Sequence, residues 1–513
     1  MSTSTLEIER PTPVSSPSRG ISSRNFLSFF WLGVAGLVVY ALLGFRADSV
    51  VPSLLGCLIA FCSVLPMYLW CMGRVPGLPL LPIYMTMYLI AYAIPFWDHQ
   101  PQIMKYSQEV QIQAAVTTAG FLLIITLVWM HFAKQPTPPG EVRVFEGKNI
   151  NAATLLMLGV SCVFVVLMRG GWLNFLGETF TLVRSIILGA GLAGTFIAAY
   201  RMSTGQLTGT AKVAALFFIS LAIITHITTL ILANTMGCLV MLMLGYFLAT
   251  KRIHVVFFVV SVAILGFLHM GKSDMRAKHW KKDAALQLSQ FPGYFKQWVG
   301  YSARSIADKA RGTQRSKSQA TPMERLSNVH MLMLVQSQTP AKRPYLEGAT
   351  YRVLPEMLVP RILYPNKPRA HAGTYMLSMY YGLQDQKATI TTTIAFSLVS
   401  EAFANFGYLG VAGLAIGIGA LLGLATRLSA YDTGLSVRLC FALMCLQCLY
   451  LSADSASIFV STFSQSLFIL AIGAALLSTR STPAPIEAEM ITAEGRRPSE
   501  GDLIDSLSSS PSF

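Results

Sequence analysis

The sequence predicts an all-α polytopic membrane protein of about 12 transmembrane helices, with one large, basic, partly helical extracytoplasmic loop between spans 9 and 10. Three observations carry that expectation. Hydrophobic residues make up 53% of the 513 and charged residues only 12%, against roughly 25% charged in a soluble domain. Apolar runs near the ~20 residues that cross a bilayer recur along most of the chain. Nineteen of the 39 Lys and Arg fall in residues 272–388, beside only seven Asp and Glu.

Taken in order, the spans are expected at 26–45, 50–71, 76–96, 112–133, 153–168, 185–200, 213–231, 235–250, 254–270, 408–426, 437–453 and 457–478. The seventh and eighth form one long apolar run, divided near Asn234 by a tight turn. Residues 1–24 are rich in Ser, Thr and Pro and lack the compact regions of a signal peptide. They read as a disordered cytoplasmic N-terminus, as do residues 481–513 at the other end. Between them lie a membrane domain at 25–271, the loop at 272–388, and a second membrane domain at 389–480 that opens with a re-entrant segment. Short loops alternate in charge. One set carries Arg74, Lys134, Arg143, Lys212, Arg252 and Arg427, whereas the other carries only Arg46, Lys105, Arg169 and Arg184. Both termini are then cytoplasmic and the loop lies outside, because long loops cross largely regardless of charge.

All eight cysteines fall within expected spans, so the loop holds neither a disulfide nor a cysteine-based zinc site. Cys440, Cys445 and Cys448 read as small buried apolar residues. Phosphate-binding loops, dinucleotide-binding glycine fingerprints and zincin motifs are missing from the sequence. No cofactor, no metal and no nucleic-acid partner is expected.

The loop opens with Lys272, Arg276, Lys278, Lys281 and Lys282, then turns aromatic at Phe291, Tyr294, Phe295 and Trp298. That order suits a helix along the membrane surface with its rings among the headgroups. From Met323 the pattern is again helical, with Leu326, Val329, Met333 and Leu334 on one side. A denser segment follows. In it Arg352, Arg361, Lys367 and Arg369 stand among prolines that stiffen the backbone. Held cations suit a phosphate group, since Arg offers a planar fork of donors and Lys a point charge. A basic surface attracting anionic headgroups is the plainer alternative.

The chain then returns to the membrane through Thr389–Thr393 and Ser400-Glu401-Ala-Phe-Ala-Asn405-Phe406-Gly407. In a helix Glu401 and Asn405 share a face. An ionisable group at membrane depth needs a cavity or a partner, and pairing with a loop arginine is one alternative. Gly407, Gly410, Gly413, Gly417, Gly419 and Gly423 allow close helix packing. His226, His269 and Asp454 read as satisfied core or interfacial groups. Arg169 and Arg184 either add to an outer anion site or end their helices in the headgroups.

Thr-Tyr-Arg at 350–352, Val-Pro-Arg-Ile-Leu-Tyr-Pro-Asn-Lys-Pro at 359–368 and Glu-x-x-x-Asn-Phe-Gly at 401–407, on this topology, resemble the Wzy-type oligosaccharide repeat-unit polymerases, relatives of the O-antigen ligases. These motifs cover 20 of the 513 residues. The resemblance implies a glycosyltransferase of the bacterial inner membrane whose large loop is periplasmic. Its substrates would be polyprenyl-diphosphate-linked oligosaccharides, joined by metal-independent, inverting transfer into O-antigen, capsule or exopolysaccharide. Membrane lipids, a chain-length regulator and a flippase are the further implied partners. Residue by residue, Arg352, Arg361, Lys367 and Arg369 would hold the diphosphate, with Arg325 and Asn405 as further binding candidates. Glu401 and its competitor His371 are the candidate general bases, although Glu401 could equally orient an arginine. The sequence departs from the pattern where two middle spans meet: Ala233-Asn234-Thr235-Met236-Gly237 lacks the arginine often found there. Three alternatives stand beside the polymerase. A ligase would use a lipid A core acceptor, a glycolipid transporter or flippase would show charges spread through its spans, and a scaffold would do no chemistry.

Overall fold

The computed structural model describes residues 26–46, 50–134, 141–145, 149–173, 180–250, 252, 254–279, 285–311, 326–359, 363–364, 366–430, 434–451 and 455–481. The chain is an all-α, multi-pass membrane protein with one small strand pair. The first four spans are α1 (Leu27–Gly44), α2 (Val50–Cys71), α3 (Leu80–Trp97) and α4 (Gln108–Ala133). After strand β1 (Val142–Val144) come α5 (Ile150–Arg169), α6 (Phe180–Ser203), α7 (Gly209–Thr228), α8 (Leu232–Thr250) and α9 (Val255–His279). The long loop contributes α10 (Phe291–Ala310), α11 (Val329–Gln338), α12 (Leu354–Leu358), α13 (Ala372–Tyr380) and α14 (Gln386–Thr391). The chain closes with α15 (Leu398–Ser429), α16 (Val437–Leu451), α17 (Ala456–Leu477) and strand β2 (Thr479–Ser481). Among the described residues, ten helices are long and apolar enough to cross a membrane, and two shorter apolar helices lie at Asn234–Thr250 and Val437–Tyr450.

The main core is built on α15 packed along α4. Close approach is possible because Gly419 and Gly423 face the Ile125 and Trp129 carbonyls, where a Cβ would sit only 2.9 and 3.0 Å away. Trp129 Nε1 then donates to Thr426 Oγ1 at 3.1 Å. Only part of the expected glycine stripe does this, since Gly413 and Gly417 face open space. Threonines inside α4 bond back to the carbonyls four residues earlier, as Thr118 does to Ala114 at 2.8 Å, so no hydroxyl is left bare in an apolar setting.

Proline makes the docking point for the loop. Pro95 has no N–H to offer the Ala91 carbonyl, and the chain just before it takes a π-helical turn at Leu89–Ala93. The freed carbonyl accepts the Asn328 N–H at 3.0 Å. From there α11 runs into the core, burying Val329, Leu332, Met333 and Val335, while Gln336 donates to Thr117 at 2.8 Å. Leu326, expected on that apolar side, stands outside the helix and is exposed.

Two further expectations change. The turn between α7 and α8 falls at 229–231, with Leu230 in the left-handed region (φ 59°), rather than at Asn234. The aromatic helix forms, but Phe291, Tyr294 and Trp298 are buried against α9 instead of lying among headgroups. Helix α9 continues past its apolar span to His279 and gives α10 a protein surface, with Trp298 Nε1 donating to the Leu268 carbonyl at 2.7 Å. At the opposite end β1 and β2 pair antiparallel, Val142 opposite Ser481, and Phe145 N–H reaches the Leu435 carbonyl at 2.8 Å. Segments this short carry no hydropathy signal.

Candidate functional site

The Glu-x-x-x-Asn-Phe-Gly motif forms a broken helix. Phe406 (φ −138°) and Gly407 (φ 60°, ψ −142°) interrupt α15 after its first two turns. Gly407 is required twice over, because its positive φ suits glycine and a Cβ there would lie 2.8 Å from the Tyr345 hydroxyl. Carbonyls exposed by the break are taken up by the loop: Leu346 N–H donates to Ala404 at 3.0 Å and Glu347 N–H to Asn405 at 3.1 Å. Ser397 starts the broken piece, accepting from Ser400 N–H at 3.2 Å and from the Tyr92 hydroxyl at 2.8 Å. Its φ of 87° is strained for a serine. Tyr84, Tyr88 and Tyr92, each buried, line up along α3, with Tyr84 edge-on to Tyr88 and Tyr88 stacked on Tyr92.

Glu401 is completely buried. Its Oε2 accepts the Ala456 N–H at 2.6 Å, at the first turn of α17, and Oε1 lies where a Cβ on Gly373 of α13 would come within 3.0 Å. The carboxyl therefore sits between the starts of two helices, where the helix dipole favours negative charge. Among the described residues no Lys or Arg pairs with it. Asn405 is also buried and donates from Nδ2 to Thr350 Oγ1 and to the Glu401 carbonyl, both at 2.8 Å. Its Oδ1 has no partner among the described residues. Ser457 completes the knot, donating to the Ala370 carbonyl at 2.8 Å and accepting from Gly373 N–H at 3.2 Å.

The cations stand around this knot in different states. Arg352 follows the single turn Ala349–Tyr351, is exposed, and makes no side-chain hydrogen bond or ion pair among the described residues. Arg369 is likewise exposed, directly before the Ala370 carbonyl that Ser457 holds. Lys367 Nζ is turned inward and donates to the carbonyls of Met357 and Val359, at 2.8 and 2.7 Å, closing the end of α12. Arg325 and Arg361 lie outside the described residues, as does Asp454. His371 precedes α13, half-buried, with its ring 6.0 Å from that of Tyr375. Burial, and after it the Glu401 charge, pushes the Tyr351 phenol well above its ordinary range, so its hydroxyl stays protonated.

The structure thus brings together Glu401, Asn405, Arg352, Lys367, Arg369 and His371, drawn from three separated stretches of sequence. Sequence reasoning missed Thr350, Gly373 and Ser457 as parts of the knot. Thr350 was within reach, standing in a quoted motif four residues before the first turn of α12. Gly373 and Ser457 carry no local signal at all.

No curated protein and no solved structure matches the chain. One family model does, over residues 85–429, from within α3 to the end of α15. That match takes in Glu401, Asn405 and the loop cations but stops short of Ser457. Covering more than half of the 513 residues, it shows that the chain belongs to the family described as a domain of unknown function, DUF8712.

Proposed function

We propose that the protein polymerises oligosaccharides carried on polyprenyl diphosphate, at the outer face of a bacterial inner membrane. The observation that supports this reading best is the convergence of 350–352, 367–373 and 401–407 on one buried knot with exposed cations at its edge. The first and third of these stretches, and residues 367–368 of the second, lie in the motifs in which the chain resembles the polymerases.

In this reading Arg352 and Arg369, with Arg361 and Arg325, face the diphosphate of the donor. As the bond from the sugar C1 to the diphosphate oxygen breaks, its electrons leave with the diphosphate, and fixed cations lower that barrier. An acceptor hydroxyl attacks C1 from the opposite face and gives up its proton to a base. Complete burial argues against Glu401 meeting that hydroxyl, whereas His371 is half-buried at the surface of the same knot. His371 is therefore assigned the proton, and Glu401 the positioning of α13 and α17. Lys367 positions α12.

The experiment is a size-resolved profile of lipid-linked glycans in cells with the protein, without it, and with Arg352→Ala. Single repeats gathering on the outer leaflet in both deficient strains support the polymerase. Full-length polymer left on its lipid carrier points to a ligase, and repeats held on the inner leaflet point to transport. Either of the last two outcomes sinks the proposal.

A further inference from the structure

At the end of the bundle opposite the long loop, the spans surround a partly open, apolar cavity of about 700 Å³. Its wall is drawn from the start of α1 (Phe29, Phe30), the ends of α2 (Trp70) and α8 (Phe247), and the starts of α3 (Leu80) and α9 (Phe258), with α6, α7 and α16 adding to it. Helix α1 stands against the body without one buried residue of its own. Phe26, just ahead of it, bridges two sides of the cavity. Its ring lies 5.6 Å from that of Trp70 on α2 and 6.1 Å from that of Phe247 on α8. Near its other end α1 is tied again, where the Tyr40 hydroxyl donates to Asp98 at 2.6 Å.

Apolar cavities stay dry, and one of this size left without an occupant is costly. The space therefore suits hydrocarbon. Ordinary lipid-facing helix surface meets chains in passing, whereas this wall is recessed among the helices. Its rim also carries one sign of charge. The stretches that supply all but one wall residue, 26–30, 67–83, 199–216 and 240–258, contain five Lys and Arg and no Asp or Glu. Arg201 is already engaged, donating to Asn151 Oδ1 at 2.7 Å. Arg74, Lys212 and Arg252 are exposed, and each stands within four residues of a wall residue. His254 is itself in the wall. Its Nδ1 accepts the Phe257 N–H at 3.3 Å, which leaves Nε2 to carry the ring proton as a donor.

We infer that this cavity binds the acyl chains of an anionic phospholipid from the leaflet opposite the long loop, with Arg74, Lys212 and Arg252 at the level of its phosphate. The two features of the site divide the work. Buried methylenes give strength, and the cationic rim selects a negative headgroup. The bound lipid completes the surface on which α1 rests. The cavity lies at the other end of the bundle from Glu401, so the proposal stands apart from the polymerase reading.

The test uses the full chain purified in a neutral detergent. Native mass spectrometry reads bound lipid as phosphatidylglycerol or phosphatidylethanolamine, matched in their chains, is titrated in. The expected result is a retained phospholipid and a preference for phosphatidylglycerol. Arg74→Gln and Arg252→Gln should each weaken phosphatidylglycerol about fivefold, the scale of one cation near an anionic surface, and leave phosphatidylethanolamine unchanged. Leu244→Trp, which puts bulk into the cavity, should weaken both lipids about tenfold or more. Val240→Phe takes its place if size exclusion shows Leu244→Trp to be misfolded. Equal binding of the two lipids by the unaltered chain overturns the proposal, as does binding that neither the arginine variants nor the bulky variants change. Tighter binding of farnesyl diphosphate than of phosphatidylglycerol also overturns it, in favour of a carrier lipid.

Discussion

The long loop between α9 and α15 divides into two halves that differ in how they pack. Residues 272–317 hold eleven Lys and Arg against three Asp and Glu, whereas residues 318–388 hold eight against four. The first half is the more basic, yet its described part packs as a satellite: α10 lies on the end of α9 around Trp298 and Tyr294, apart from the main core. The less basic half is woven into the body, with α11 buried against α4 and α15, and Thr350 and Ala370 tied to the Glu401 knot. Charge density alone does not single out the half that is tied to the buried cluster. What distinguishes the second is charge beside a buried, hydrogen-bonded polar cluster, where position is fixed.

The comparison breaks most visibly at glycine. Gly407→Val should cost on the order of 3 kcal/mol or more, since the left-handed backbone and the Tyr345 contact both oppose a branched side chain. The expected result is loss of folded protein on size exclusion. Glu401→Ala should destabilise by about 2–4 kcal/mol, through the stranded Ala456 N–H and the space left behind. Glu401→Gln should recover most of that stability, and thermal unfolding in detergent separates the two variants. Next, Arg352→Ala should cut polymer about 100-fold with no change in melting temperature, while the equally exposed Arg304→Ala in α10 leaves polymer unaltered. Equal losses from both would mean that bulk charge matters and the halves are equivalent.

Acid should also tell the halves apart. Burial, and then Lys105, lowers His330 in α11 to about 4. In the unfolded chain the group titrates near 6.5, so between those values the unfolded state binds more protons. Stability is therefore full above pH 6.5 and falls as pH drops toward 4, by about 1–2 kcal/mol at pH 5. His330→Gln should flatten that part of the melting profile. The smallest effect belongs to the satellite: Gly300→Ala on α10 meets no atom within 4 Å and should stabilise by about 0.5–1 kcal/mol.

What the sequence disclosed follows the range of the interactions involved. Spans were legible because hydropathy is local, and the four-residue spacing of Glu401 and Asn405 placed them on one helical piece, as Asn405 Nδ2 on the Glu401 carbonyl shows. Contacts between distant stretches were not legible. Lys367 reads as a free cation in sequence but spends two donors on backbone carbonyls ten and eight residues before it. The row Phe291–Trp298 has the composition of a membrane-surface helix, and only the unforeseen length of α9 supplies the protein surface that covers it. Pro95 sits inside an apolar run that hydropathy reads as unbroken, so the carbonyl it frees for Asn328 was invisible.

The strand pair at the end opposite the long loop carries an implication for biosynthesis. β1 emerges from the ribosome about 340 residues ahead of β2, its partner, a delay on the order of tens of seconds at ordinary elongation rates. For most of that interval Val142–Val144 lacks a partner strand, and until 479–481 arrives only the bridge from Val144 to Ser436 is open to it. The ribbon can close only once the final helix has been threaded into the membrane, which makes it a latch on completed insertion rather than a seed for it.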